Sequence, residues 1–192
     1  NYIQRFRERF ADTWNDSKYE IANTAKNTEY LKENEKEVFY FLNLARKFPR
    51  KFANTYVKHY QGKWGRGAGE EFKHSRAGLV EDLKEMADKD IFLQLLKPDK
   101  ELWKYAKCHA IGMNKAGYSG HNRESTGCTD GPFAECIAYA RTDGLQVVLQ
   151  LLIDEGLPNA PHRKICLKNF NEMGVSIKPH KIKSSSAVLD FY

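Results

Sequence analysis

The stretch YAKCHAIGMNKAGYSGHNRES, residues 105–125, runs into PFAECIAYA, residues 132–140, and then into LLIDEGLPNAPHRKICL, residues 151–167. The C-terminal half takes its pattern from this succession. Its first part closes a helix that Pro98 and Asp99 open, because Leu102, Ala106, His109, Ala110 and Met113 recur on one stripe. A glycine-punctuated segment, 117–131, follows, and Phe133, Ile137 and Tyr139 alternate as a strand does. Thr142 or Asp143 can cap the next helix, whose apolar face is Leu145, Val148, Leu149 and Leu152; Gly156 and Pro158 end it. A helix over residues 161–170 and two closing strands at 174–178 and 187–191, joined by a basic, Ser-rich loop, complete the C-terminal half.

Upstream, Val38, Phe41, Leu42 and Ala45 follow helical spacing until Pro49, a second short helix is expected over 49–60, and Leu79, Leu83, Met86 and Ala87 mark a third. Residues 1–33 are polar, with Phe6, Phe10, Trp14 and Ile21 spaced like one helix face, so they read as an N-terminal helical extension to a domain of residues 34–192. Helices before and between strands give an α+β class, a sheet layered with helices, with no internal repeat. Residues 62–69 hold four glycines but lack the GKS or GKT ending and the preceding strand of a phosphate-binding loop, so they read as a surface loop.

With 192 residues, 41% of them hydrophobic, the chain is long enough for one sizeable core, and no apolar run reaches membrane-spanning length. The net charge is +6. Arg46, Lys47, Arg50, Lys51, Lys58, Lys63 and Arg66 interleave with Tyr56, Tyr60 and Trp64, yet no nucleic-acid motif accompanies them, so the group reads as a solvated basic face. Cys108, Cys128, Cys136 and Cys166 contain no CxxC pair; they allow one or two disulfides or four buried thiols. The first residue is Asn1 rather than Met, which leaves open a removed leader or a trimmed end.

Among six histidines, His109 sits on an apolar stripe and reads as a core residue, while His59, His74 and His180 lie in polar surroundings and read as solvated. His121 and His162 stand beside a glycine and a proline at helix ends, with Glu135 on the strand between. Two imidazoles and a carboxylate are the ligand set of an open divalent-metal site, although the HExxH spacing is absent.

Those segments, with MGVSIKP at 173–179, AVLDF at 187–191 and EKEVFYFLNLARKFPRKFA at 35–53, resemble the CAP superfamily of cysteine-rich secretory proteins, antigen 5 and plant pathogenesis-related proteins, more narrowly its bacterial branch. The resemblance implies a three-layer α-β-α sandwich with a central cleft, and export from the cell. It matches YSGH, AECI and APHR to the family's His, Glu and His motifs, placing His121, Glu135 and His162 in one cavity able to hold Zn²⁺ or a similar ion. It also suggests Asp154 or Glu155 as a further acidic residue of that cavity, and it matches Asn43 and Arg46 to the Asn-x-x-Arg of the first helix, where internal polar contacts are expected. Two departures stand out: Ala134 and Cys136 flank Glu135 in place of the family's Gly and Asn, and Pro161 replaces the glycine before His162.

The implied function is a secreted binding or interaction module for an unidentified protein, lipid or glycan. The alternative is a metal-assisted, peptidase-like hydrolase in which Glu135 acts as the base. Cys136 is no nucleophile for such chemistry, because alternation along the strand turns it away from Glu135.

Overall fold

The computed structural model describes residues 1–66 and 69–192, so the glycine-rich segment at 62–69 lies partly outside the described residues. Helix α1 spans Tyr2–Arg9 and is followed by 3₁₀ turns at Asp12–Trp14 and Ser17–Ala22; α2 is Glu33–Lys47, α3 Pro49–Phe52 with a π-helical turn over Ala53–Val57, and α4 Glu70–Asp88. Strand β1, Lys97–Pro98, precedes α5, Lys100–Ala116; then come β2, Ala134–Tyr139, α6, Gly144–Ile153, α7, Pro161–Cys166, β3, Glu172–His180, and β4, Ser184–Phe191.

One sheet in the order β1-β3-β4-β2 organises the chain, with β1 parallel to β3 and the other pairs antiparallel, so β2 is an edge strand. Strand alternation sorts its side chains onto two faces. Ile137 and Val188 meet Ala106, Ala110 and Met113 of α5, while Cys136, Ala138, Val175, Ile177, Ala187 and Leu189 join the larger core with α2 and α6. Gly174 allows α5 its close approach: a Cβ there would lie 2.2 Å from the backbone of Leu102 and Trp103. The protein is therefore of the α+β class, with helices on both faces of a mixed sheet.

Most elements follow the sequence pattern, and the differences have local causes. Helix α7 stops at Cys166, short of residue 170, because the carbonyls of Cys166, Lys168 and Phe170 all turn inward to accept from the Arg46 guanidinium. Arg46 is thus not part of a solvated basic face. It is buried at 1% exposure, takes two further bonds to Gln94 O, and burial lowers its pKa to about 10. Asn43 beside it bonds both the N–H and C=O of Leu96, as an internal contact should.

The closing strands are longer than 174–178 and 187–191, since the serines pair within β4 and only residues 181–183 turn. His180 is buried, not solvated: its Nδ1 accepts from Ile182 and Lys183 N–H and its Nε2 donates to Tyr118 O, which caps that turn. In residues 1–33, Phe6, Phe10 and Trp14 enter the larger core along with Tyr19, whereas Ile21 stays exposed.

Candidate functional site

The site is assembled where the end of α5, the edge strand β2 and the α6–α7 turn meet. Asp99 caps α5 by accepting from Leu102 N–H, and Gly117, at φ 67°, ends it. The loop that follows is pinned back onto the helix twice. Cys108 and Cys128 form a disulfide, and buried His109 donates from Nε2 to Gly120 O at 2.9 Å while its Nδ1 meets the Thr126 hydroxyl at 2.8 Å. Burial lowers the His109 pKa, so it stays a neutral staple rather than a ligand. The loop thereby presents half-exposed His121 and drives Arg123 inward.

Glu135 is the second residue of β2 and lies directly across the ladder from Asp190 of β4. Two carboxylates on one buried face repel each other, and Arg123 reconciles them. Its guanidinium pairs with Glu135 Oε2, sits 2.7 Å from Asp190 Oδ2, donates to Tyr105 O and lies over the Phe133 ring. The other Glu135 oxygen, Oε1, is 2.7 Å from His121 Nδ1. Burial acts to raise the Glu135 pKa, but the His121 hydrogen bond and the Arg123 charge bring it below the usual carboxylate value. Asp190 has no exposed surface, and its pKa is pushed up by burial and by the facing Glu135. The negative charge thus rests on Glu135, which raises the pKa of His121 first by hydrogen bonding and then by charge.

The second half of the site repeats this arrangement. Asp154 ends α6 in the left-handed region at φ 54°, and Asn159 and Ala160 also have positive φ, so strain is concentrated in the turn before His162. Asp154 Oδ2 accepts from His162 N–H and Oδ1 lies 2.8 Å from His162 Nδ1. Arg163 fixes the start of α7 by donating to the carbonyls of Leu152 and Ile153, to Ser75 O and to Asp82. Cys136 and Cys166 are both buried thiols in the core on the other face of the sheet, with Cys136 Sγ 3.8 Å from His162 O.

His121, His162, Asp154 and Glu155 line one cavity of about 670 Å³, which also runs along Ile137 and Tyr139 of β2. Glu135 is brought to His121 but does not line the cavity; Glu155 lines it and is exposed. Among the described residues no three His, Cys, Asp or Glu side chains converge as a metal-ligand group. Each cavity histidine instead has its Nδ1 held by a carboxylate, which selects the tautomer that leaves Nε2 unprotonated and free to accept from water or to bind an ion. Arg123 and Asp190 are the site residues that sequence reasoning missed. The signal was the single charge within AVLDF, since an aspartate in an apolar strand needs a buried partner.

A scan against protein-family models and a search of curated proteins both return no match to this chain.

Proposed function

We propose that this chain is a CAP-type binding module, exported from the cell, whose cavity holds a divalent metal ion through Nε2 of His121 and Nε2 of His162. The observation that carries the proposal is the repeated carboxylate–imidazole pair, Glu135 with His121 and Asp154 with His162, on the lining of one cavity. In metal sites such carboxylates orient the ring and strengthen its donor nitrogen. The chain order of histidine, strand glutamate, helix-end aspartate and histidine supports the CAP resemblance, as does a sheet with helices on both faces. The Cys108–Cys128 disulfide supports an oxidising compartment.

Two imidazoles leave the remaining coordination positions to water or to a bound ligand, as an open site requires. Bound there, an ion would supply Lewis acidity toward whatever occupies the cavity. The engagement of both Glu135 oxygens, by His121 and by Arg123, favours a binding module over a hydrolase that would need Glu135 as its base.

The test is a calorimetric titration of zinc into metal-stripped protein, beside a His121→Ala/His162→Ala double variant whose circular dichroism matches the parent. Saturable uptake by the parent that is lost in the variant supports the proposal; equal uptake by both, or none by either, overturns it.

A further inference from the structure

The cavity has a second wall that the metal proposal leaves unused. In β2, the Ala140 N–H donates to Ser185 O, and this sets the parity of the ladder: Ala134, Cys136 and Ala138 exchange backbone bonds with β4. The N–H and C=O groups of Ile137 and Tyr139 consequently point the other way, toward the open edge of the sheet. Both residues line the cavity, and their amides meet no backbone partner among the described residues. From Glu135 to Tyr139 this edge runs roughly 14 Å at about 3.4 Å per residue.

Beyond the strand's end the wall becomes cationic. Arg141, Lys63, Arg66 and Lys183 all line the same cavity. The Arg141 guanidinium donates to Ala140 O, and its Nε is shielded from solvent with no hydrogen-bond partner among the described residues. Gln150 Oε1, on the same lining, is likewise buried and unpartnered. Lys63 is held close enough to Arg141 that burial and the neighbouring charge both lower its pKa. Trp64, exposed at 71%, stands at the mouth with Lys63 Nζ over its ring. The loop bearing both is fixed to α6 by Gln146, which donates to Tyr60 Oη and to Lys63 O.

We infer that the cavity receives an acidic peptide in extended conformation, which adds as a strand to the free edge of β2 and places a carboxylate on Arg141 and Lys63. The inference rests on reading this cavity as a ligand site, but it needs no metal. Open amides give the extended backbone its pairing, and the cationic end selects acidic side chains.

The experiment is fluorescence anisotropy of a fluorescein-labelled hexapeptide of alternating glutamate and valine, titrated with metal-stripped protein at two salt concentrations. Saturable, salt-weakened binding is expected, reduced at least about tenfold by Arg141→Gln and, as a second variant on an exposed loop, by Lys63→Gln. N-methylating one alternating set of peptide nitrogens should abolish binding, and methylating the other set should not, because only one set faces the β2 edge. Equal binding of the lysine counterpart, equal tolerance of both methylated peptides, tighter binding of an oligogalacturonate than of the peptide, or no binding at all would each overturn the inference. Zinc uptake is measured separately on the same preparation without peptide. Peptide failure with intact zinc uptake then defeats this inference alone, and peptide binding without zinc uptake defeats only the metal reading.

Discussion

Replacing Arg123 with methionine tests the electrostatic account of the site most severely. The side chain is 2% exposed and Asp190 is fully buried, so the substitution leaves the Glu135 carboxylate, facing the Asp190 carboxyl, without its cation. Breaking a buried ion pair by removing one partner costs about 3–5 kcal/mol. In a chain of this size 1 kcal/mol corresponds to about 2–4 °C, so the melting midpoint should fall by roughly 6–20 °C near neutral pH. The sign of the pH dependence follows from the same picture. Without Arg123, Glu135 titrates above its unfolded value instead of below it, and a carboxyl raised in this way gives stability that is present below its unfolded value and lost as pH rises through its folded value. The deficit against the parent should therefore be small in acid below the Glu135 range and grow as pH rises toward neutrality. Adding Asp190→Asn to the variant removes the second acid facing Glu135 and should recover part of the loss. Thermal unfolding followed by circular dichroism across this range reads both effects. A deficit that is uniform with pH and unrelieved by Asp190→Asn would refute the charge argument and leave only lost packing against Phe133.

Glu135→Gln should lower the His121 titration midpoint, read by NMR, because the raising charge is gone while an acceptor for Nδ1–H remains; an unchanged midpoint would contradict the assigned pairing. In the parent, zinc affinity should fall as pH drops through the raised His121 value, since a proton on Nε2 competes with the ion; calorimetry at successive pH values measures this. Reducing the Cys108–Cys128 bridge, which closes a separation of 20 residues, should cost about 3 kcal/mol by chain-entropy reasoning and loosen the loop that carries His121, visible as faster amide exchange there. Gly174→Ala should cost about 1–3 kcal/mol or more in chemical denaturation, because its Cβ would meet the α5 backbone and not a yielding side chain.

Helices and strands with a repeating apolar face were legible because a single period spans each. Val38 through Ala45 and the α5 stripe are local patterns that the structure buries accordingly, whereas in β2 Cys136, Ile137 and Ala138 are buried in succession because both faces of the strand are covered. Strand β1 was not legible, since two residues carry no period and its pairing with β3 depends on a segment far along the chain. The same limit applies to the site. His121, Glu135, Asp154 and His162 could be named from their segments, but their pairing could not: the sequence grouped Glu135 with both histidines as ligands, whereas the fold assigns one carboxylate to each imidazole.

Solvation misled where a residue's neighbours in sequence were not its neighbours in space. Arg46 stands in a run of basic residues but is consumed by four carbonyl oxygens, and His180 stands among lysines but is folded beneath its own turn. Asp190 is the converse case, a charge whose apolar context was itself evidence of a buried partner. The pairing of Cys108 with Cys128, and the separate burial of Cys136 and Cys166, could be settled only by the fold, because spacing permits every connectivity.

The claim at the centre is that carboxylates fix Nδ1 of two cavity histidines and leave both Nε2 atoms for an ion. Imidazole ¹⁵N NMR of metal-stripped protein, repeated after adding zinc, tests it directly. In the neutral imidazole state His121 and His162 should both show protonated Nδ1 and unprotonated Nε2, and zinc should move the two Nε2 resonances while both Nδ1 protons persist. Protons found on Nε2 in the metal-stripped protein, or Nε2 resonances that zinc leaves in place, would contradict it.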